Sequence, residues 1–281
     1  MKRIATVLGV SRSNLAEQSK DRPRHPQGRP PQPDHELVLA VKAILAEMPS
    51  YGYRRVHAIL KRKAVLAGYP APNHKRIYRI MKVHQLLLTR RKDGETRRHD
   101  GRIATDMSNL RWCSDGLELT CDNREKVRIA FALDCCDREV MSYVATTAGI
   151  KSQDVCDLML SAVEHRFGLI NRLPKSIEWL SDNGSCYIAG DTKTFAREIG
   201  LMPITTPVRS PQSNGMAEAF VRTLKRDYAR FSPLTDAATV IAALPKWFQH
   251  YNNVHPHKAL GYRSPREFIN QTSTVGSVSG I

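Results

Sequence analysis

The chain has 281 residues, of which 41% are hydrophobic and 25% charged, a composition that suits a folded core and excludes a disordered polymer. Its formal net charge of +16 indicates a polyanionic partner, and nucleic acid is favoured over a membrane surface because no basic amphipathic helix or lipidation signal is visible. No apolar run is long enough to cross a bilayer, and the six cysteines show no Cys-x-x-Cys pairing, so reduced thiols are predicted.

The positive charge is concentrated near the amino terminus. Residues 1–110 hold 23 Lys and Arg against 9 Asp and Glu, whereas residues 111–281 hold 20 against 18. Residues 1–20 predict a helix, a turn at Gly9-Val10-Ser11 and the start of a second helix, which is a partial helix-turn-helix-like segment. Prolines and basic residues then predict a stiff linker over 21–34.

Residues 35–90 predict a small helical domain. Three helical patterns, over 35–48, 51–68 and 73–86, are separated by Gly and Pro breaks and carry many basic residues. These features indicate a helical DNA-binding domain, and a solvated basic bundle stays open as the alternative. The polar stretch that follows predicts a second basic linker over 91–107. The predicted DNA contacts of this domain are Arg54, Arg55, Lys75, Arg76 and Arg79.

From about residue 108 the pattern changes to short strands and helices. Three strand-like runs joined by short polar turns predict antiparallel strands, and two strand–helix crossovers and a long helix follow. The order β-β-β-α-β-α-β-α predicts an α/β fold, with a mixed sheet flanked by helices. The core is assigned to 108–230, its C-terminal helical part to 231–270 and a flexible tail to 271–281.

One apolar run in this core, over 177–180, ends abruptly in Asp182-Asn183-Gly184. Turn chemistry explains such a sequence on its own, because Asn and Gly tolerate positive φ and Asp accepts local backbone bonds. A carboxylate there is also a candidate ligand for a hard divalent cation, together with Asp115 in the first strand and Glu218 in the late helix. Eighteen acidic residues in this part of the chain allow many other triples.

Five motifs together resemble the catalytic core of the DDE transposases and retroviral-type integrases. The similarity is to the second-reading-frame product of the bacterial insertion-sequence transposases of the family numbered three. The 35 residues between Asp182 and Glu218 match that family's D,D-35-E spacing, and YGYRRVHAIL and NHKRIYRIMK resemble its helix-turn-helix-like segment. The five motifs are WCSDGLELT (112–120), FALDCCDRE (131–139), WLSDNGSCY (179–187), RSPQSNGMAEAFVRTLKRD (209–227) and YNNVHPHKALGYRSPREF (251–268).

The resemblance implies a ribonuclease-H-like fold, with two aspartates on adjacent strands and a glutamate on a helix beside them. Asp115, Asp182 and Glu218 are therefore predicted to be both the catalytic residues and the metal ligands, holding two Mg²⁺ or Mn²⁺ ions per active site. The implied reaction is cleavage and joining of DNA strands at the ends of an insertion sequence, by attack of water or a 3′-hydroxyl on a phosphodiester.

The late helix is predicted to have two different faces. At about 100° per residue, Asn214, Arg222 and Lys225 share a stripe with Glu218. All three are predicted to contact DNA, and the resemblance supports Lys225, since a basic residue seven positions past the glutamate recurs in related enzymes. The opposite stripe, which is expected to pack on the sheet, consists of Ala217, Phe220, Leu224 and Tyr228.

Three departures from the family pattern affect these predictions. Gly116-Leu117-Glu118 follows the first aspartate, so Glu118 competes with it as a ligand. Gln212-Ser213-Asn214 replaces the usual Asp-Asn before the late helix. No leucine heptads precede the core, so the chain is expected to act with an upstream-frame product or as a fusion with it.

Two other functions are alternatives to the transposase. A same-fold metal-dependent nuclease without strand transfer is disfavoured by the C-terminal motif, and a DNA-binding regulator is disfavoured because all three carboxylates are present. His255-Pro256-His257 is interpreted as a loop-packing or DNA-contacting element rather than a metal site. The expected partners are insertion-sequence ends, target DNA and further copies of the chain on DNA, with no membrane. The expected location is the bacterial cytoplasm, at the nucleoid when DNA is bound.

Overall fold

The computed structural model describes residues 2–18, 34–89, 104–206 and 215–278, without the side chains of 17–18 and 273–278. The chain divides into two compact units, Met1–Glu36 and Leu37–Ile281. The helices are α1 (Lys2–Val7), α2 (Arg12–Gln18), α3 (His35–Glu47), α4 (Tyr53–Leu66), α5 (His74–Val83), α6 (Ser152–Phe167), α7 (Ser185–Ile188), α8 (Gly190–Glu198), α9 (Gly215–Asp227), α10 (Ala237–Asn253) and α11 (Pro265–Val278). The strands are β1 (Arg111–Thr120), β2 (Lys126–Asp134), β3 (Val140–Thr146), β4 (Ile177–Ser181) and β5 (Leu201–Thr205).

The first unit contains α1 and α2, with the predicted turn between them. Gly9 lies in the left-handed region at φ +62°, a conformation that glycine adopts without steric cost. The Ser11 hydroxyl then accepts a hydrogen bond from the Asn14 amide at 3.2 Å and caps the start of α2. Two short helices joined by a Gly turn are thus present, as the sequence predicts.

The second unit is built on a five-stranded mixed sheet in the order β3-β2-β1-β4-β5. β1 pairs antiparallel with β2 and parallel with β4, while β2–β3 is antiparallel and β4–β5 is parallel. Helices cover both faces, with α6, α7 and α8 on one side and α9 and α10 on the other. The predicted α/β fold, a ribonuclease-H-like mixed sheet flanked by helices and preceded by an all-helical region, is confirmed.

Helices α3, α4 and α5 share their apolar core with one face of this sheet. Val41, Ile59 and Ile77 belong to the same buried cluster as Phe131 of β2 and Phe220 of α9. Residues 37–89 therefore lie in the same compact unit as the sheet. The sequence predicts a linker over 91–107, and residues 91–103 of it lie outside the described residues.

The buried acids of the FALDCCDRE motif stabilise the β2–β3 turn. Asp134 accepts hydrogen bonds from the amides of Cys136 and Asp137 at 2.7 and 3.1 Å. Arg166 at the end of α6 pairs with Asp137 at 3.1 Å and with Glu139 at 3.2 Å. Buried carboxylates that are paired in this way hold the turn to the helix.

The C-terminal motif, residues 251–268, attaches α10 and α11 to the rest of the unit. The Asn252 side chain accepts a hydrogen bond from the Val140 amide at 3.0 Å and donates one to the Val140 carbonyl at 2.8 Å. It therefore satisfies both backbone groups of the first residue of β3. His255 is 1% exposed, and its Nδ1 lies 2.8 Å from the Tyr51 hydroxyl. The loop-packing interpretation of His255 is confirmed.

Several smaller features differ from the sequence pattern or complete it. Helix α7 was not predicted, because four residues are too few to show a helical period. Helix α11 continues to Val278, into the stretch assigned to a flexible tail.

The predicted reduced thiols are confirmed, since all six cysteines, which lie in the described ranges, are free. No described helix combines the length and apolarity that a membrane crossing requires.

Burial of the His255 and His257 side chains predicts a measurable pH dependence of stability. Burial lowers the pKa of His257 to about 3, with the cations Arg138 and Arg55 acting in the same direction. The unfolded chain binds a proton at this residue below about pH 6.5, whereas the folded chain does not. The free energy of unfolding therefore falls as the pH decreases, with a slope that approaches about 1.4 kcal/mol per pH unit well below pH 6.5.

We expect the unfolding free energy of the parent to fall relative to that of His257→Asn by about 1.7 kcal/mol in total between roughly pH 6.5 and pH 5. Urea titrations of the two proteins measure this difference. Asp115 and Asp134, whose pKa values are raised, act in the opposite sense but are common to both proteins. A constant difference across this range would contradict the prediction.

Candidate active site

Asp115 lies in the middle of β1, on the face that packs against α9. Side chains alternate along a strand, and Cys113, Leu117 and Leu119 of the same parity lie in the buried cluster that contains Phe220 and Leu224 of α9. The Asp115 carboxylate accepts a hydrogen bond from the Gly116 amide at 2.7 Å. The strand therefore presents Asp115 on the side of the sheet that α9 covers.

Asp182 lies beside Asp115 at the end of the parallel neighbour β4. The pairing places Cys113 opposite Leu180, and continuing that register by two residues puts Asp115 opposite Asp182. Asp182 is exposed and accepts a hydrogen bond from the Gly184 amide at 3.0 Å. The turn explanation is thus also correct, because the carboxylate makes a local backbone bond while it remains accessible to solvent.

Gly184 leaves the space that the Asp182 carboxylate occupies. A Cβ atom at this position would lie 3.0 Å from Asp182 Oδ1 and 3.4 Å from the Tyr187 ring. Any larger residue would have to displace the carboxylate. The glycine of the motif therefore has a steric role here, and its backbone conformation is an ordinary one.

Glu218 is carried by α9, whose two faces are as predicted. Ala217, Phe220, Leu224 and Tyr228 are buried, whereas Glu218, Arg222 and Lys225 are exposed. The Phe220 ring packs 4.5 Å from that of Phe131, centroid to centroid, and Phe131 is the cross-strand partner of Asp115. This contact holds the start of α9 above the strand that carries the first aspartate.

The three carboxylates interact electrostatically. Burial, together with the negative charges of Asp182 and Glu218, raises the pKa of Asp115 to about 6, against the opposing effect of the hydrogen bond from the Gly116 amide. These effects show that the structure brings the three predicted residues within range of one another's charge. Across the described ranges, however, no three His, Cys, Asp or Glu side chains lie close enough together to hold a metal ion as they stand.

The donor set suits a hard divalent cation. All three groups offer carboxylate oxygens, the ligands that Mg²⁺ prefers, and a cation among them would relieve the repulsion that raises the pKa of Asp115. The competing triple of Asp134, Asp137 and Glu139 does not fit, because Arg166 already pairs with these acids.

Glu118 is excluded as an alternative to Asp115 by its position on the sheet. It has the opposite parity along β1, so its side chain points to the other face. Its carboxylate pairs with Lys126 at 2.7 Å and with Arg128 at 3.1 Å on the neighbouring strand. Glu118 is therefore a cross-strand ion-pair residue.

Two polar side chains beneath the aspartates were not predicted from the sequence. The Ser114 and Tyr187 hydroxyls lie 2.9 Å apart in a buried hydrogen bond, which ties β1 just before Asp115 to α7 just after Asp182. Tyr187 ends one of the recognised motifs, but no property of the sequence indicated its partner. The bond links the two strand segments that carry the aspartates.

The predicted DNA-contacting residues fall into different environments. Arg54, Lys75 and Arg79 are exposed on α4 and α5, with Arg76 half-buried, and Arg222 and Lys225 are exposed on α9. Asn214 lies outside the described residues. Arg55 instead pairs with Asp227 at 3.1 Å, where the carboxylate is fully buried. Arg226 also binds Asp227, at 2.6 Å, so Arg55 fixes α4 to the end of α9 in this arrangement.

Comparison with known families gives three matches along the chain. The family model described as "HTH-like domain" matches residues 32–93. Two models described as "Integrase core domain" match residues 105–211 and 200–265.

The curated relatives are transposases of insertion elements. The chain is 53% identical over 246 residues to "Transposase InsD for insertion element IS2A/D/F/H/I/K" of Escherichia coli, covering 86% of this chain and 81% of that protein. It is equally similar to the InsD transposase of insertion element IS2-9 of Escherichia coli strain K12, of which it covers 80%.

Among solved structures, the fold is similar to a chain in the cryo-electron microscopy structure of the simian T-cell lymphotropic virus intasome in complex with PP2A regulatory subunit B56 gamma. The TM-score is 0.51 at 16% identity, covering 82% of this chain and 73% of that chain. This likeness supports the fold.

The raised pKa of Asp115 predicts that its charge destabilises the fold. Since the folded pKa of about 6 exceeds the ordinary aspartate pKa of 3.8, ionisation of this group costs about 3 kcal/mol at pH 7, and the cost disappears as the pH falls from about 6 to 3.8. In a chelator-containing buffer, Asp115→Asn should raise the unfolding free energy at pH 7 by about 1–3 kcal/mol and by much less near pH 4.

Chemical denaturation at the two pH values measures this effect. Glu118→Gln serves as the control on the opposite face, where loss of an exposed ion pair should change stability by less than about 1 kcal/mol. A destabilised Asp115→Asn at pH 7 would show that the carboxylate contributes to stability instead of opposing it.

Proposed function

The chain belongs to the insertion-element transposases that carry an integrase core domain, and from this premise we propose that Asp115, Asp182 and Glu218 form its catalytic centre. Enzymes of this family cleave and join DNA strands. The observation that best supports the assignment is the convergence of the three carboxylates on one face of the sheet, where Asp182 and Glu218 both raise the pKa of Asp115. The proposed substrates are the ends of a bacterial insertion sequence and a target DNA.

The integrase core family depends on a metal, and the proposed cofactor is a pair of Mg²⁺ or Mn²⁺ ions held by these three residues. Such ions, when bound, would increase the nucleophilicity of the attacking oxygen and stabilise the leaving oxygen of the phosphodiester. The residues of the chain provide the geometry: Gly116 and Gly184 orient the two aspartates through their amides, and Ser114–Tyr187 ties the strand ends together.

The exposed cations of α9 are proposed to position the DNA. Arg222 and Lys225 lie four and seven residues past Glu218, on the solvent face of the same helix. A phosphate near the reacting bond is the natural partner for these side chains, because the Glu218 carboxylate is proposed to bind metal. Asn214, four residues before Glu218 in the sequence, is proposed to share this role.

Neither of the two alternative functions gains support from the site. A regulator that used the core only as a scaffold would gain stability by losing the buried charge of Asp115, yet this charge is present. A nuclease without strand transfer would have the same carboxylates, so the assay below includes joining.

The proposed partners follow from the reaction. Two element ends must be brought together for joining, so further copies of the chain are proposed to assemble on DNA, with an upstream-frame product or fusion contributing end recognition. The proposed location is the cytoplasm of a bacterium, at the nucleoid.

Substitution of a single carboxylate should abolish the chemistry while sparing the fold. Asp182→Asn or Glu218→Gln should lower strand cleavage and joining on labelled element-end DNA with Mg²⁺ by at least about a hundredfold, because metal-based transition-state stabilisation amounts to several kcal/mol. Chelator should have the same effect on the parent.

Asp191→Asn, which changes an exposed acid of α8, is the matched control and should retain activity. Near-parental joining by either site variant would remove that residue from the centre. Cleavage without any joining by the parent would instead favour the nuclease.

A DNA-positioning role of Lys225 predicts a separate phenotype. Lys225→Ala should weaken binding to element ends and reduce the log–log salt slope by roughly 0.9, since one phosphate contact is lost. Thermal unfolding with and without Mn²⁺ should stay near the parental values, because the side chain is exposed. Lys246→Ala, at an exposed lysine of α10, is the control. Unchanged end binding together with lower stability would make Lys225 structural.

A further inference from the structure

A groove of about 860 Å³ runs between α4 and the C-terminal motif. One wall is formed by α4, including Arg54, Ala58 and Lys61. The other is formed by residues 253–254, the turn at 261–263 and the start of α11. This groove is separate from the three carboxylates, and of its lining residues only Arg54 is among the DNA contacts predicted from the sequence.

The shape of the groove is fixed by Arg62. Its guanidinium donates hydrogen bonds to the carbonyl oxygens of Val254 at 2.6 Å and Tyr262 at 3.0 Å, and it pairs with Glu267 at 2.8 Å. Glu267 is the single carboxylate among the described lining residues, and Arg62 neutralises it. The two walls are therefore held together by a cation that also neutralises the one carboxylate of the described lining.

The remaining charge of the groove is positive. Arg54, Lys61 and Lys63 of α4 and Arg263 of the opposite wall are exposed, and no carboxylate in the described part of the chain pairs with any of them. Arg54 lies over the Tyr53 ring at 5.4 Å and Arg263 over the Phe268 ring at 5.9 Å. The aromatic contacts hold both arginines in place without cancelling their charge.

We propose that this groove binds the phosphate backbone of duplex DNA, a role that rests on the proposed function and adds residues of the C-terminal motif to the DNA-binding surface. The spacing fits this partner: Arg54 and Lys61 lie about 10 Å apart along α4, and a DNA strand carries one phosphate per about 3.4 Å of axis, so the wall spans roughly three phosphates. A second copy of the chain, with its net charge of +16, is a poorer electrostatic match.

The position of the groove indicates which part of the DNA it holds. Arg55, next to Arg54, is bound to Asp227 at the end of α9, and Asp227 lies about 14 Å along that helix from Glu218. The groove therefore holds phosphates several nucleotides from the reacting one. DNA bound there would position the substrate through its backbone, without reading the base sequence.

The test is a salt series of binding to a labelled duplex of about two helical turns, measured by fluorescence anisotropy on the full chain. The double variant Lys61→Ala with Arg263→Ala removes one cation from each wall. The matched control, Arg172→Ala with Lys175→Ala, removes two exposed cations that precede β4, at the end of that strand opposite Asp182.

The slope of the logarithm of the binding constant against the logarithm of the salt concentration should be smaller in magnitude by about 1.8 in the groove variant. The control should keep the parental slope. An unchanged slope in the groove variant would overturn the proposal, and loss of self-association at unchanged slope would assign the groove to an interface between copies. Cleavage by the parent is assayed in parallel. A reduced salt slope in the groove variant together with an inactive parent would support DNA binding by the groove but refute the proposed function. An unchanged slope in the groove variant together with an active parent would refute DNA binding by the groove and support the proposed function.

Discussion

The packing of α9 on the sheet is the interaction on which the candidate centre depends. Phe220 contacts Phe131, the partner of Asp115 across the β1–β2 ladder, so the same contact that buries the helix also holds Glu218 near the first aspartate. The parallel pairing of β1 with β4 places the third carboxylate, because its register, continued by two residues, puts Asp182 beside Asp115. One helix–sheet contact and one strand register thus bring together carboxylates that are separated by up to 103 residues.

The charge distribution around this centre divides into groups that stabilise the fold and groups that oppose it. Asp227 and Asp137 are buried with arginine partners, which offsets the cost of their desolvation. For Asp115, the hydrogen bond from the Gly116 amide favours the ionised form, whereas burial and the two neighbouring carboxylates disfavour it more strongly. Ionised Asp115 therefore lowers the stability of the fold. Uncompensated charge at a cleft is typical of functional sites, and the compensated pairs fasten α4 and α6 around it.

Local patterns in the sequence predict the strands, the long helices and the two faces of α9, because periodicity reports directly on burial. The catalytic triple is predicted only with the help of a family resemblance, since many acids satisfy the spacing. The sequence alone could have excluded Glu118 as a metal ligand. Leu117 and Leu119 lie on the same face of the strand as Asp115, and Glu118, between them, lies on the opposite face. The pairing of Arg55 with Asp227, 172 residues away, leaves no local trace, and neither does the bond of Asn252 to the β3 backbone. Such contacts depend on tertiary structure alone.

The central claim is that Asp115, Asp182 and Glu218 together bind divalent cations. The most direct measurement is a crystal structure of the full chain grown with Mn²⁺ on a duplex end, with anomalous difference maps collected near the manganese edge. Two peaks are expected between these three carboxylates, at ligand distances of about 2.0–2.3 Å. Strong peaks elsewhere in the chain with none at this position would contradict the claim.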